Sequence, residues 1–137
     1  MRLSGGLARD SLETALDGTV DATRLRMASR EAELSGEFWP FRHDTFRANL
    51  KQLTGSIPEG AQAHHVFPQT FAREFGELGI NVHDPRFGSW WNAGEHAQHS
   101  SQYNEAWRQF FRGNPTPSGA IERARELSTQ YGYGVNF

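Results

Sequence analysis

The chain has 137 residues, 22% of them charged, no cysteine, a formal net charge of -2 and a pI near 6.3. Disulfides and thiolate metal sites are therefore excluded, so any bound metal must rest on nitrogen and oxygen ligands. The slight acidity gives no overall pull toward nucleic acid and leaves only a local basic site for such a partner.

A hydrophobic content of 36%, with ten phenylalanines, suffices for the core of one domain at this length. "MRLSGGLARD" lacks the apolar run of a secretory signal, and no stretch approaches the roughly 20 apolar residues of a membrane span. Residues 7 to 54 read as helical. "LARDSLETAL" repeats apolar residues at Leu12, Ala15 and Leu16, and "DATRLRMASREAEL" does so at Leu25, Ala28 and Ala32. In "PFRHDTFRANLKQLTG" the spacing predicts a helix with Pro40 in its first turn, a stripe of Phe46, Leu50 and Leu53, and a stop at Gly55. His43, near that helix start, reads as a surface residue.

After the loop "SIPEGAQ", "AHHVF" is a short extended segment ending before Pro68. A helix bearing Phe71, Phe75 and Leu78 follows and terminates at Gly79. "INV" and "GSWW" each predict a strand, with "HDPRF" as the turn between them. Of the paired tryptophans, one of Trp90 and Trp91 belongs in the core and the other over a helix. Asn92 and Glu95 stand at capping-box spacing, which starts the next helix just before His96. Tyr103, Trp107, Phe110 and Phe111 form its core side. A last helix from about Ser118 carries Ile121, Ala124 and Leu127 ahead of the tail "YGYGVNF".

The histidines carry the chemistry. His96 and His99 are three apart on the predicted helix, close enough to share a small ligand, and a metal is the economical one. The "HH" pair would then complete the metal's protein shell with one imidazole and take a proton from water with the other. Adjacent strand residues point to opposite faces, so both serve one site only where the strand twists or ends. His83, beside Asp84 in a turn, reads as a hydrogen-bonded structural residue. Arg108 and Arg112, four apart on the helix, are candidate phosphate contacts.

The stretches "AHHVFPQTFAREFGELGINVHD" and "GEHAQHSSQYNEAWRQFFRGNP" resemble the HNH and endonuclease VII superfamily of ββα-metal nucleases. The similarity is sharpest to HNH-type toxin domains of bacterial polymorphic toxins with an HH-(I/V)-F-P-Q motif, and it spans about residues 63 to 133. With residues 1 to 60 read from periodicity as a helical part, it implies an α+β fold, mostly helical, in which 61 to 112 form the ββα-metal unit and 113 to 137 a closing helix and tail.

The resemblance further implies His65 as general base. His64, His96 and His99 become metal ligands, one of the helix pair alternatively touching phosphate. Many superfamily members orient the base with an asparagine before the helix. Here Asn92 is committed to the cap, which passes that part to Asp84 or a backbone carbonyl. The implied activity is hydrolysis of phosphodiesters, in DNA ahead of RNA, by a toxin acting in the cytoplasm of a target cell. One divalent ion is implied: zinc, nickel or cobalt as isolated, magnesium or manganese for turnover. The implied partners are a cognate immunity protein and a delivery module in a longer chain, since the domain carries no signal of its own. The rival expectations are a closed structural metal site built from the same four histidines, an inactive protein-interaction domain, and a ribonuclease.

Overall fold

The architecture follows from a computed structural model that describes Leu12, Ala15, Leu16 and residues 20 to 137. It is α+β and mainly helical, with one two-stranded antiparallel ribbon among the described residues. Of the periodic stretch at residues 7 to 16, Leu12, Ala15 and Leu16 are helical; Leu12 and Ala15 are buried in the main core and Leu16 packs against it. The rest of that expectation lies outside the described residues.

Helix α1, Ala22–Leu34, starts where the Asp21 carboxylate accepts the Arg24 amide at 2.9 Å, and it buries Leu25, Ala28 and Ala32 as the periodicity predicts. A 3₁₀ turn at His43–Thr45 leads into α2, Phe46–Thr54, whose buried stripe is Phe46, Leu50 and Leu53, and Gly55 closes it in the left-handed region. Pro40 is not in the first turn of this helix. Arg42 between them is extended, and the Pro40 carbonyl instead accepts the Thr45 hydroxyl at 2.6 Å.

Strand β1, Ala61–His65, pairs with β2, Gly88–Asn92, in the register Ala61 to Asn92 and His65 to Gly88. Between them a 3₁₀ turn and the short helix α3, Ala72–Glu77, bury Phe71 and Phe75. The segment Ile80, Asn81, Val82 is not a strand. The Ile80 amide bonds back to the Phe75 carbonyl at 3.0 Å and the Asp84 amide to the Asn81 carbonyl at 3.0 Å, so its backbone is spent on a helix end and a turn. Gly79, at φ 84°, enforces this bend, because a Cβ there would meet the Ala22 backbone at 2.2 Å.

β2 runs without a loop into α4, Ala93–Arg112, whose cap is Asn92 accepting the Glu95 amide at 3.0 Å. Helix α5, Pro117–Tyr131, buries Ile121, Ala124 and Leu127 and ends at Gly132 in the left-handed region. The tail then returns to the ribbon: the Ser89 hydroxyl donates to the Gly134 carbonyl, Asn136 Nδ2 donates to the Gly88 carbonyl at 3.3 Å, and Phe137 packs on Phe67 and Phe87. One main core therefore joins Leu12, α1, the ribbon, α4, α5 and Tyr133. No helix among the described residues is long and apolar enough to cross a membrane.

A buried ion pair ties α1 to the loop before β2. The Asp84 carboxylate receives Arg86 through its amide at 2.9 Å, Nε at 3.0 Å and Nη2 at 2.6 Å, and the Ser29 hydroxyl at 2.6 Å. Replacing Asp84 removes a carboxylate that meets buried Arg86 at three points and breaks up a buried polar network. Asp84→Ala should cost about 3–5 kcal/mol and Ser29→Ala about 1.5–3 kcal/mol, read as shifts of the urea midpoint at constant slope. Equal, small effects from both would show that the ion pair does not hold this loop.

Candidate active site

The pleat of β1 sorts its side chains. Gln62 and His64 face α4, while His65 faces α2. Because β1 stops at His65, both histidines nevertheless line one open cleft of about 660 Å³ between the ribbon, the start of α2 and the face of α4. On α4 the lining residues are His96, Ser100, Tyr103 and Asn104, a stripe of helical period.

His64 is 3% exposed and sits among rings, with Trp91, Tyr103 and Tyr133 each 4.8 Å away and His96 at 5.3 Å, centroid to centroid. Its Nε2 is buried and has no hydrogen-bond partner. Native proteins rarely leave such an atom unsatisfied, and the Nε1 atoms of Trp91 and Trp107 share its condition. His96 presents itself nearby. Gln62 Oε1 accepts from His96 Nδ1 at 2.8 Å, which leaves Nε2 of that ring with its lone pair. Burial, followed by the nearby His96 and His65, holds His64 well below the ordinary histidine range; burial alone lowers His96.

The Tyr103 hydroxyl donates to the Val66 carbonyl at 2.6 Å and lies 2.6 Å from the Tyr133 hydroxyl, so the tail braces the wall behind His64. Burial raises both phenols. They are hydrogen-bonding struts, not acids, at neutral pH.

His65 stacks on Phe46 at 3.7 Å, with the rings 16° from parallel, and its Nε2 lies 3.1 Å from His83 Nδ1. Its pKa is lowered to about 3 by burial first and then by His83, His43 and His96. His43 also belongs to this group, its ring 6.4 Å from that of His83 and its Nδ1 2.8 Å from Gln69 Oε1. His43, read from sequence as a surface residue, thus lines the cleft, and His83, read as a hydrogen-bonded structural residue, makes that bond to His65.

Three sequence expectations place differently. His99 does not line the cleft: three residues past His96 it is turned roughly 60° around the helix, and its ring lies 5.4 Å from Tyr131. Asp84 does not orient His65, because its oxygens are taken by Arg86 and Ser29; His83 occupies that position. Arg108 and Arg112 do not line the cleft, and Arg108 pairs with Glu105 over the Phe71 ring. Arg47 does line it, exposed and without an ion-pair partner among the described residues. Its place one residue after Phe46, which carries His65, is the signal that could have marked it.

Among the described residues no three His, Asp or Glu side chains form a group able to hold a metal. A closed four-histidine site is therefore not formed. His64 and His96, with ring centroids 5.3 Å apart, are the two imidazoles that would hold an ion if one binds in this cleft. The tryptophans divide as expected: Trp91 is 2% exposed against His64, and Trp90 covers the end of α2, its Nε1 donating to Thr54 Oγ1 at 2.9 Å. No family model, curated protein or solved structure matches the chain.

Because the folded chain keeps His64 and His65 neutral far below their unfolded range, the unfolded chain takes up protons first as acid is added. Stability from these residues is complete above about pH 6.5 and is lost as the pH falls toward the folded values. Urea midpoints in the presence of chelator should decline from pH 6.5 to 4, and His65→Gln should flatten that decline. An unchanged slope in the variant would show that His65 is not held neutral by the fold.

Proposed function

We propose that the chain is a metal-dependent endonuclease, a toxin domain that hydrolyses phosphodiester bonds in the DNA of a competing cell and is neutralised by an immunity protein. The observation that supports this reading best is His64, its Nε2 buried and unpartnered and its ring 5.3 Å from that of His96, in the same open cleft as His65. The order of elements agrees with it: an antiparallel ribbon with the histidine pair on its first strand, followed directly by the histidine-bearing helix.

His64 and His96 would hold the divalent ion, with Gln62 fixing the His96 tautomer. Bound there, such an ion would neutralise charge developing on the phosphate and on the leaving 3′ oxygen. His65 takes the proton of the attacking water. Burial keeps it neutral and ready to accept, and the negative charge of an arriving phosphodiester lifts its basicity back toward the working range. Arg47 at the rim supplies a guanidinium for a backbone phosphate, the local basic group that an acidic chain requires.

Plasmid nicking by the purified protein tests the reading. Cleavage should need an added divalent metal and stop with chelator. His65→Ala should reduce the rate about 10²- to 10⁴-fold with the fold intact. His64→Ala should lower metal affinity, whereas His99→Ala should leave cleavage near wild type. Cleavage of RNA alone would move the substrate to RNA; no cleavage of either nucleic acid under any metal would end the nuclease reading.

A further inference from the structure

The contact between His65 and His83 has a chemical consequence, because it joins Nε2 of one ring to Nδ1 of the other at 3.1 Å. Two neutral imidazoles joined in this way must share a tautomer. Either His65 donates and both rings are Nε2–H, or His83 donates and both are Nδ1–H. The Nε2–H form is the more stable tautomer of a histidine side chain in water, so the first arrangement is favoured twice over.

The surroundings fix the geometry. His83 is held from both sides by buried neighbours, Val82 at 2% exposure and Asp84 at 0%, and its own amide donates to Asn81 Oδ1 at 3.0 Å. The Phe46 ring stacked on His65 sets the plane of that imidazole. His65 Nδ1 has no protein hydrogen-bond partner among the described residues, and it is not among the buried unpartnered atoms, so solvent reaches it.

We infer that His83 is the positioning residue of His65: its Nδ1 accepts the His65 Nε2 proton and so presents the His65 Nδ1 lone pair to the cleft. The inference rests on the proposed nuclease activity for its catalytic meaning, but the tautomer itself can be read without any activity. His83 touches neither substrate nor metal in this role. It acts only through the orientation and protonation of its neighbour.

The test is nitrogen-15 NMR of the imidazole rings in the full, isotopically labelled chain at pH 7.5 with chelator, the His65 signals being assigned by their loss in His65→Gln. The wild type should show His65 with a protonated Nε2 and a bare Nδ1, well separated in shift. His83→Leu should pull the two shifts together as the tautomers interconvert, while His83→Asn, whose amide oxygen can accept the same proton, should keep them apart. In plasmid cleavage, His83→Leu should lower kcat about 10- to 100-fold with KM little changed, and His83→Asn should recover most of the loss.

A protonated Nδ1 on His65 in the wild type overturns the inference without any variant. So does an unchanged shift pattern in His83→Leu, or equal loss of kcat in the leucine and asparagine variants. If the wild type cuts no nucleic acid, the nuclease reading falls, and the NMR pattern still decides whether His83 sets the tautomer of His65.

Discussion

Asn92 holds two positions at once, and the rest of the site depends on that. It is the last residue of β2, paired with Ala61, and the cap of α4, accepting the Glu95 amide. A helix that begins inside a strand's last pairing has little freedom to roll or slide against the ribbon. One turn along, His96 therefore falls opposite His64, and Gln62, two residues before His64 on the same face, meets its Nδ1. A loop of even a few residues here would have left that meeting to side-chain packing alone.

The second constraint is the polar atom left inside an aromatic wall. Trp91, Tyr103 and Tyr133 surround His64 and leave its Nε2 buried without a protein partner, and the tail that supplies Tyr133 is itself pinned to β2 through Ser89 and Gly88. Rigid aromatic packing costs the chain a desolvated nitrogen, roughly 1–3 kcal/mol if it stays unpaired. In the proposed function, the ion held by His64 and His96 would remove that cost.

Much of this was legible before the structure, and what was missed has a common cause. Periodicity located the apolar faces of α1, α2, α4 and α5, and the capping pair located the start of α4, because these signals are local. "HH" and His96, grouped from sequence, do meet in one cleft. Ile80 and Val82 looked like a strand, yet they are buried loop anchors with no backbone edge beside them to pair with, a fact that only tertiary context supplies. His43 and His83 were set aside because each is isolated in sequence. Space brings them to His65 from 22 and 18 residues away, through a turn before α2 and a loop held by the Asp84–Arg86 pair. Asp84, read alongside a backbone carbonyl as a candidate to orient His65, instead pins the loop, and the residue before it makes the contact.

The adjacent histidines now have a physical account. Strand alternation, which argues against two neighbours sharing one site, is what separates their environments here. His64 is turned into the aromatic wall against α4, where a bare nitrogen awaits a ligand; His65 is turned onto Phe46 and His83, where a hydrogen bond can fix its proton. Since the strand ends at His65, the two faces open on the same cleft, and one dipeptide can present two imidazoles in different chemical states a few ångströms apart. An i, i+3 or i, i+4 pair on a helix would have put both rings in one environment and given them similar properties. A pair at the end of a strand gives unlike surroundings to like residues, and in the proposed nuclease a metal-binding nitrogen beside a proton-accepting one would be such a division of labour.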